Sequence, residues 1–159
     1  MKFKKRVYGS WGEFFADVRF LMRNARQLIR VYRRGILPPA FRERLMVAVT
    51  SVYGCRFCSW IHTREALKSG LDRQEIARLL SGGMENCPEE ESIAVLYAQH
   101  WADSNANPDH EAVKRLEEAY GAEKAEAMNT ILCLVRFGNL TGNLWDYLLY
   151  RISFGRWRG

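Results

Sequence analysis

The chain has 159 residues, nearly half of them hydrophobic, and carries a net charge of +6. That hydrophobic content excludes an intrinsically disordered segment, and the length suits one domain with a sizeable core. The longest apolar stretch, Leu45 to Cys55, is interrupted by Thr50, Ser51 and Gly54, so no stretch approaches the roughly 20 residues a bilayer span needs. The N-terminus is basic but no apolar run follows it, so a signal peptide is not expected and a cytoplasmic location is. Much of the positive charge lies in the first 45 and the last nine residues. It attracts anionic partners in general without naming one.

The helical period recurs almost throughout, and no strand alternation is convincing. Phe14, Val18, Leu21, Met22, Ala25, Leu28, Ile29 and Tyr32 form an apolar stripe at spacings of three and four, with six arginines between Arg19 and Arg34 on the other positions. This predicts a basic amphipathic helix over about 11–35, ending at Gly35 before Pro38-Pro39. Its arginine face reads most simply as solvated surface, since no nucleic-acid-binding motif accompanies the charge. A second helix is expected over about 40–53. Gly54 breaks it, and a third runs from Cys55 to about Ser69, with Gly70 just past its end. Asp72 and Glu75 have capping-box spacing for a short helix to Leu80. Pro88 and three glutamates open a helix carrying Ile93, Leu96, Tyr97, His100 and Trp101. Asn107-Pro108 opens the next, which closes at Tyr120-Gly121. A long apolar helix follows over about 123–140, then a last one over about 144–152, with Thr141-Gly142 and the flanking Asn139 and Asn143 read as the junction. About eight helices with short connections predict an all-α orthogonal helical bundle in one domain, 1–159.

The chemistry concentrates between Glu43 and His62. Cys55 and Cys58 are in C-x-x-C spacing at a helix start, where the unpaired amides of the first turn favour a thiolate, and Arg56 between them adds a cation. In a reducing compartment this pair points to redox chemistry or a metal. His62 lies one helical turn beyond Cys58, on the same face, and imidazole can accept a thiol proton near neutral pH. It is about two turns from Cys55, so Cys58 is the nearer thiol without deciding the matter. Glu43 precedes Cys55 by 12 residues. On one straight helix that is roughly 18 Å. If the chain reverses at Gly54, the axial offset between Glu43 and His62 falls to about 4–5 Å, within reach directly or through one water. The result is a ladder of thiol, histidine and carboxylate, the pattern of an activated nucleophile.

The joint spacing E-x11-C-x-x-C-x3-H, within RERLMVAVTSVYGCRFCSWIHTREALKSGL and with FGNLTGNLWDYL downstream, resembles the signature of the AhpD-like alkyl hydroperoxidases. These form the thiol-bearing branch of the carboxymuconolactone decarboxylase superfamily. The decarboxylases that named the superfamily lack the cysteine pair, so lactone decarboxylation is not implied. The resemblance implies an AhpD-like all-α fold, assembled as a homo-oligomer, a trimer or hexamer. It implies reduction of (alkyl) hydroperoxides, with Cys58 as the peroxidatic thiol, Cys55 as the resolving thiol and His62 passing a proton towards Glu43. It also implies no cofactor, and a dithiol electron donor such as a lipoylated or thioredoxin-like protein. Trp60 is bulky for a position so near the thiols, and the N-terminal arginine helix and the RWRG tail have no counterpart in the pattern.

Two other readings use the same cluster. One is a metal-binding module of Cys55, Cys58 and His62 completed by Cys87 or Glu43, although no second spaced ligand pair accompanies it. The other is a non-enzymatic redox-sensing module that uses the basic helix. Cys133, in TILCLV, reads as a buried inert thiol, and Cys87 as more exposed and non-catalytic. His100 reads as a packing residue and His110 as surface. Trp145, Tyr147, Tyr150, Phe154 and Trp157 read as core or subunit interface.

Overall fold

The structure, a computed structural model, describes residues 3–157; the last two residues of the RWRG tail lie outside the described residues. Among these, eight helices and no strand are formed: α1 Trp11–Arg23, α2 Ala25–Arg34, α3 Pro39–Tyr53, α4 Arg56–Lys68, α5 Arg73–Leu80, α6 Glu89–Asp103, α7 His110–Tyr120 and α8 Ala122–Ile152. The all-α expectation holds, but two boundaries differ from the sequence reading.

The N-terminal amphipathic helix is two helices. Asn24 leaves helical geometry at φ −99°, ψ 14°, and its side-chain amide donates to the Phe20 carbonyl at 2.9 Å, closing α1 before α2 starts. The break also re-aims the stripe. Phe14, Val18, Leu21 and Leu28 are half-buried, whereas Met22, Ala25, Ile29 and Tyr32 face outward. Asp17, Gln27 and Val31 are the buried residues of this pair instead. The converse happens at the other end. The two C-terminal helices are one continuous 31-residue helix, α8, running straight through Thr141-Gly142. Asn139 and Asn143 are therefore interior residues of a helix. Both are fully buried and tie α8 to the end of α3. Asn139 Nδ2 donates to Thr50 Oγ1 at 3.1 Å, and Asn143 Nδ2 donates to the Tyr53 carbonyl at 2.8 Å.

α3 is the central element. It packs against α4, α5, α6 and α8, and is apolar nearly all round, from Phe41 through Leu45, Met46, Val47, Ala48 and Val49 to Tyr53. A helix with no solvated stripe must be surrounded, and this one is. Two charge clusters fix its neighbours. Arg44 of α3 reaches Glu75 of α5 (2.5 Å) and Glu91 of α6 (2.9 Å). Across the molecule, Arg136 of α8 pairs with buried Asp17 of α1, which also accepts from the Tyr8 hydroxyl at 2.9 Å. The expected capping at Asp72 is present: its Oδ1 accepts the amides of Gln74 and Glu75 at 2.8 Å each. No helix in residues 3–157 is long and apolar enough to cross a membrane.

Candidate active site

Gly54 caps α3 at φ +66°, ψ 30°, a left-handed conformation that costs most side chains about 1–2 kcal/mol. The chain reverses there, and α3 and α4 pack side by side. The consequence is local and chemical. Glu43, 4% exposed near the start of α3, meets His62 in the second turn of α4, with Oε2 3.2 Å from Nδ1. Arg42 Nε lies 3.7 Å from the other carboxylate oxygen. One carboxylate oxygen thus orients the imidazole while the other faces a cation, which leaves the imidazole Nε2 as the ring's remaining nitrogen.

Cys55 is the N-cap of α4. Its sulfur takes the place of the usual Ser or Asp oxygen and accepts the backbone N–H of Cys58 at 3.3 Å. The Cys58 thiol also donates to it. Those two hydrogen bonds, thiol first and then amide, hold Cys55 down to about 7 against the opposing effect of burial, with Lys5 adding a smaller favourable charge. Cys58 moves the other way: as the donor, buried and beside a developing thiolate, it keeps its proton to high pH. The pair therefore loses its first proton as the pH rises through neutrality, and the negative charge that appears is carried by Cys55. Both cysteines are free thiols, 2% and 7% exposed.

Gly142 of α8 covers the pair from the opposite side. A Cβ at that position would lie 2.7 Å from Cys55 Sγ and 3.7 Å from Cys58 Sγ. The sequence reading missed this residue because glycine inside a helical pattern looks like a stop. The signal that could have found it was the unbroken apolar period on either side, which makes a mid-helix glycine a packing position rather than a terminus. Cys55 also lines a cavity of about 860 Å³ bounded by Arg56, Phe57 and Trp60 of α4, by Phe137, Thr141, Gly142, Trp145 and Asp146 of α8, and by Trp157.

The remaining candidates separate from this cluster. Cys133 is buried among core residues, and burial pushes its thiol up to about 12. Cys87 is half-buried and raised to about 11 by burial, with Arg44 and Glu91 as its charged neighbours; its thiol donates to the Pro88 carbonyl. Among the described residues no three His, Cys, Asp or Glu side chains are grouped as metal ligands. His100 is not a packing residue. It is exposed and pairs with Asp109 at 2.8 Å. Trp145 and Trp157 do not enter the core either, being 64% and 43% exposed on the cavity wall, and Phe154 is 96% exposed.

Comparison with known proteins adds one match. The model of the carboxymuconolactone decarboxylase family matches residues 18–98, just over half of the chain, from α1 to α6. No curated protein and no solved structure matches.

Proposed function

The chain belongs to the carboxymuconolactone decarboxylase family, which includes decarboxylases and alkyl hydroperoxidases, and we propose that it is a dithiol peroxidase. Cys55 and Cys58 would cycle between dithiol and disulfide. One observation carries this reading: a thiolate held near neutral pH at a helix N-cap, opening onto a cavity, with its partner thiol in hydrogen-bond contact.

The chemistry follows from where the proton sits. The Cys55 thiolate attacks the terminal oxygen of R–O–OH; an S–O bond forms, the O–O bond breaks, and the departing alkoxide takes from water the proton that Cys55 had released, giving ROH and a Cys55 sulfenic acid. Cys58 then needs a base, because its proton is held tightly. His62, one turn on and oriented by Glu43, is that base. The Cys58 thiolate attacks the Cys55 sulfur, the S–S bond forms, and the hydroxide leaves as water with the proton His62 carries. The peroxide gains two electrons and the dithiol loses two. An external dithiol, lipoyl- or thioredoxin-like, restores the pair by exchange and is itself oxidised to a disulfide. This order of attack reverses the one the family resemblance implies, in which Cys58 strikes first. The position of the charge and the cavity support Cys55.

The same reading includes assembly as a trimer or hexamer. Trp11, Phe15, Met22 and Ile152, each more than 60% exposed, support burial against further copies. The decisive experiment is single-turnover oxidation of Cys55→Ser and Cys58→Ser with sulfenic-acid trapping. Cys58→Ser should consume one equivalent of peroxide and trap at Cys55, while Cys55→Ser should not react. The opposite pattern restores the order the resemblance implies. Wild-type protein that forms no Cys55–Cys58 disulfide with any hydroperoxide sinks the peroxidase reading and leaves a redox-sensing role.

A further inference from the structure

The cavity beside Cys55 is much larger than hydrogen peroxide needs. At about 860 Å³ it lies in the upper part of the roughly 300–1,000 Å³ that whole small organic ligands occupy. Hydrogen peroxide displaces little more than one water, whose share of the liquid is about 30 Å³. The walls are aromatic and arrive from three parts of the chain. Phe57 and Trp60 of α4 stack with centroids 6.2 Å apart and planes at 21°, and the Arg64 guanidinium covers the Trp60 ring at 4.8 Å. Trp145 and Phe137 come from α8, and Trp157 follows it. Phe57, Trp60 and Trp145 are all more than half exposed. A protein leaves aromatic surface of this kind open where something apolar is to sit on it.

The charges of the cavity have one sign left over. Asp146 is engaged on both oxygens: Lys5 Nζ lies 2.7 Å from Oδ2 and offsets its charge, and the Trp157 indole N–H donates to Oδ1 at 3.2 Å. Arg56, by contrast, is exposed and has no hydrogen-bond or ion-pair partner among the described residues. The cavity therefore presents an apolar bed, one uncompensated cation and a thiolate.

We propose that its substrate is an amphipathic organic hydroperoxide, a long-chain hydroperoxy acid whose hydrocarbon lies on the aromatic walls and whose carboxylate is met by Arg56. This rests on the peroxidase reading for its chemistry but not for its binding site. The bond changes are those already given, with R the hydrocarbon chain that carries the free carboxylate, so a hydroxy acid leaves.

The test compares kcat/KM for linoleic acid hydroperoxide, its methyl ester and hydrogen peroxide under one dithiol donor. The acid should exceed hydrogen peroxide by roughly tenfold or more, the scale on which an apolar pocket discriminates. Trp145→Ala should lower the acid-to-hydrogen-peroxide ratio, and Trp145→Phe should recover most of it. Arg56→Gln should lower the acid-to-ester ratio by roughly two- to fivefold, the scale of an exposed ion pair. Equal kcat/KM for acid and hydrogen peroxide overturns the proposal while the peroxidase reading stands. Binding is read separately by quenching of tryptophan fluorescence with unoxidised linoleate in Cys55→Ser/Cys58→Ser protein. If no peroxide is turned over but linoleate binds and Arg56→Gln weakens it, the peroxidase reading falls and the site stands. Absence of linoleate binding overturns the site whatever the turnover.

Discussion

Removing the Cys58 thiol should raise the pH at which Cys55 becomes reactive. In the native pair Cys55 is held at about 7, against 9.0 for an unperturbed thiol, and the first cause is the hydrogen bond from Cys58 Sγ. A group with a pKa near 7 is about half ionised at neutral pH, where a thiol at 9 is about 1% ionised. The thiolate is therefore enriched roughly fiftyfold. Its intrinsic nucleophilicity falls with a Brønsted slope of about 0.4–0.5, which gives back close to a factor of ten. Alkylation at pH 7 should run only a few times faster than for an ordinary cysteine, so the pH midpoint and not the absolute rate is the informative quantity. Cys58→Ala deletes the thiol donor but keeps the residue 58 amide, the lesser of the two hydrogen bonds. The midpoint should move part of the way from about 7 towards 9 and stop short of it. Rates of iodoacetamide labelling at Cys55, followed by peptide mass analysis from pH 5 to 10, give the curve. A wild-type midpoint near 9, or a midpoint that Cys58→Ala leaves in place, refutes the assignment of the charge to Cys55.

Three further outcomes can be measured on the same protein. Gly142→Ala puts a methyl 2.7 Å from Cys55 Sγ; overpacking of about 1–3 kcal/mol outweighs the roughly 1 kcal/mol that alanine adds to a helix, so the melting temperature falls and Cys55 labelling changes, and an unchanged labelling profile refutes the contact. Gly54→Ala should cost about 1–2 kcal/mol for its φ of +66°, read as a drop of a few degrees in Tm by calorimetry; no loss would mean the turn relaxes freely. Arg136→Ala strands the buried Asp17 carboxylate and should cost about 3–5 kcal/mol in urea unfolding, whereas a loss under 1 kcal/mol would show that Asp17 simply takes up a proton.

The meeting of Glu43 and His62 could be anticipated because it needs only two things from the chain: a residue count on either side of Gly54, and the fact that glycine alone adopts the left-handed turn cheaply. Helix ends marked by chemistry, such as Asp72, were legible for the same reason. What could not be read depended on the third dimension. Asn24 breaks a helix through a side-chain hydrogen bond that competes with the backbone, with no proline or glycine to announce it. Gly142 looks like punctuation but is a cleared space for the Cys55 sulfur, which only the packing of α8 on α4 reveals. The N-terminal stripe had the right period but only part of the right aim: Phe14 packs on Phe137 of α8 and Leu21 and Leu28 lie against the core, while the buried position of α1 goes to Asp17, which Arg136 pairs with. The division of charge between the thiols was hidden because it turns on which sulfur caps the helix, a matter of one residue.

Asp146 binds Lys5 with one oxygen and Trp157 with the other. Two points separated by almost the whole sequence are thereby clasped through a single side chain on the wall of the thiol cavity. The chain behaves as a loop fastened by a non-covalent clasp, and whatever pulls on either strand near the fastening is felt at the cavity. A single change, Asp146→Ala, therefore releases the segments at Lys5 and at Trp157 together and alters the cavity wall from both sides.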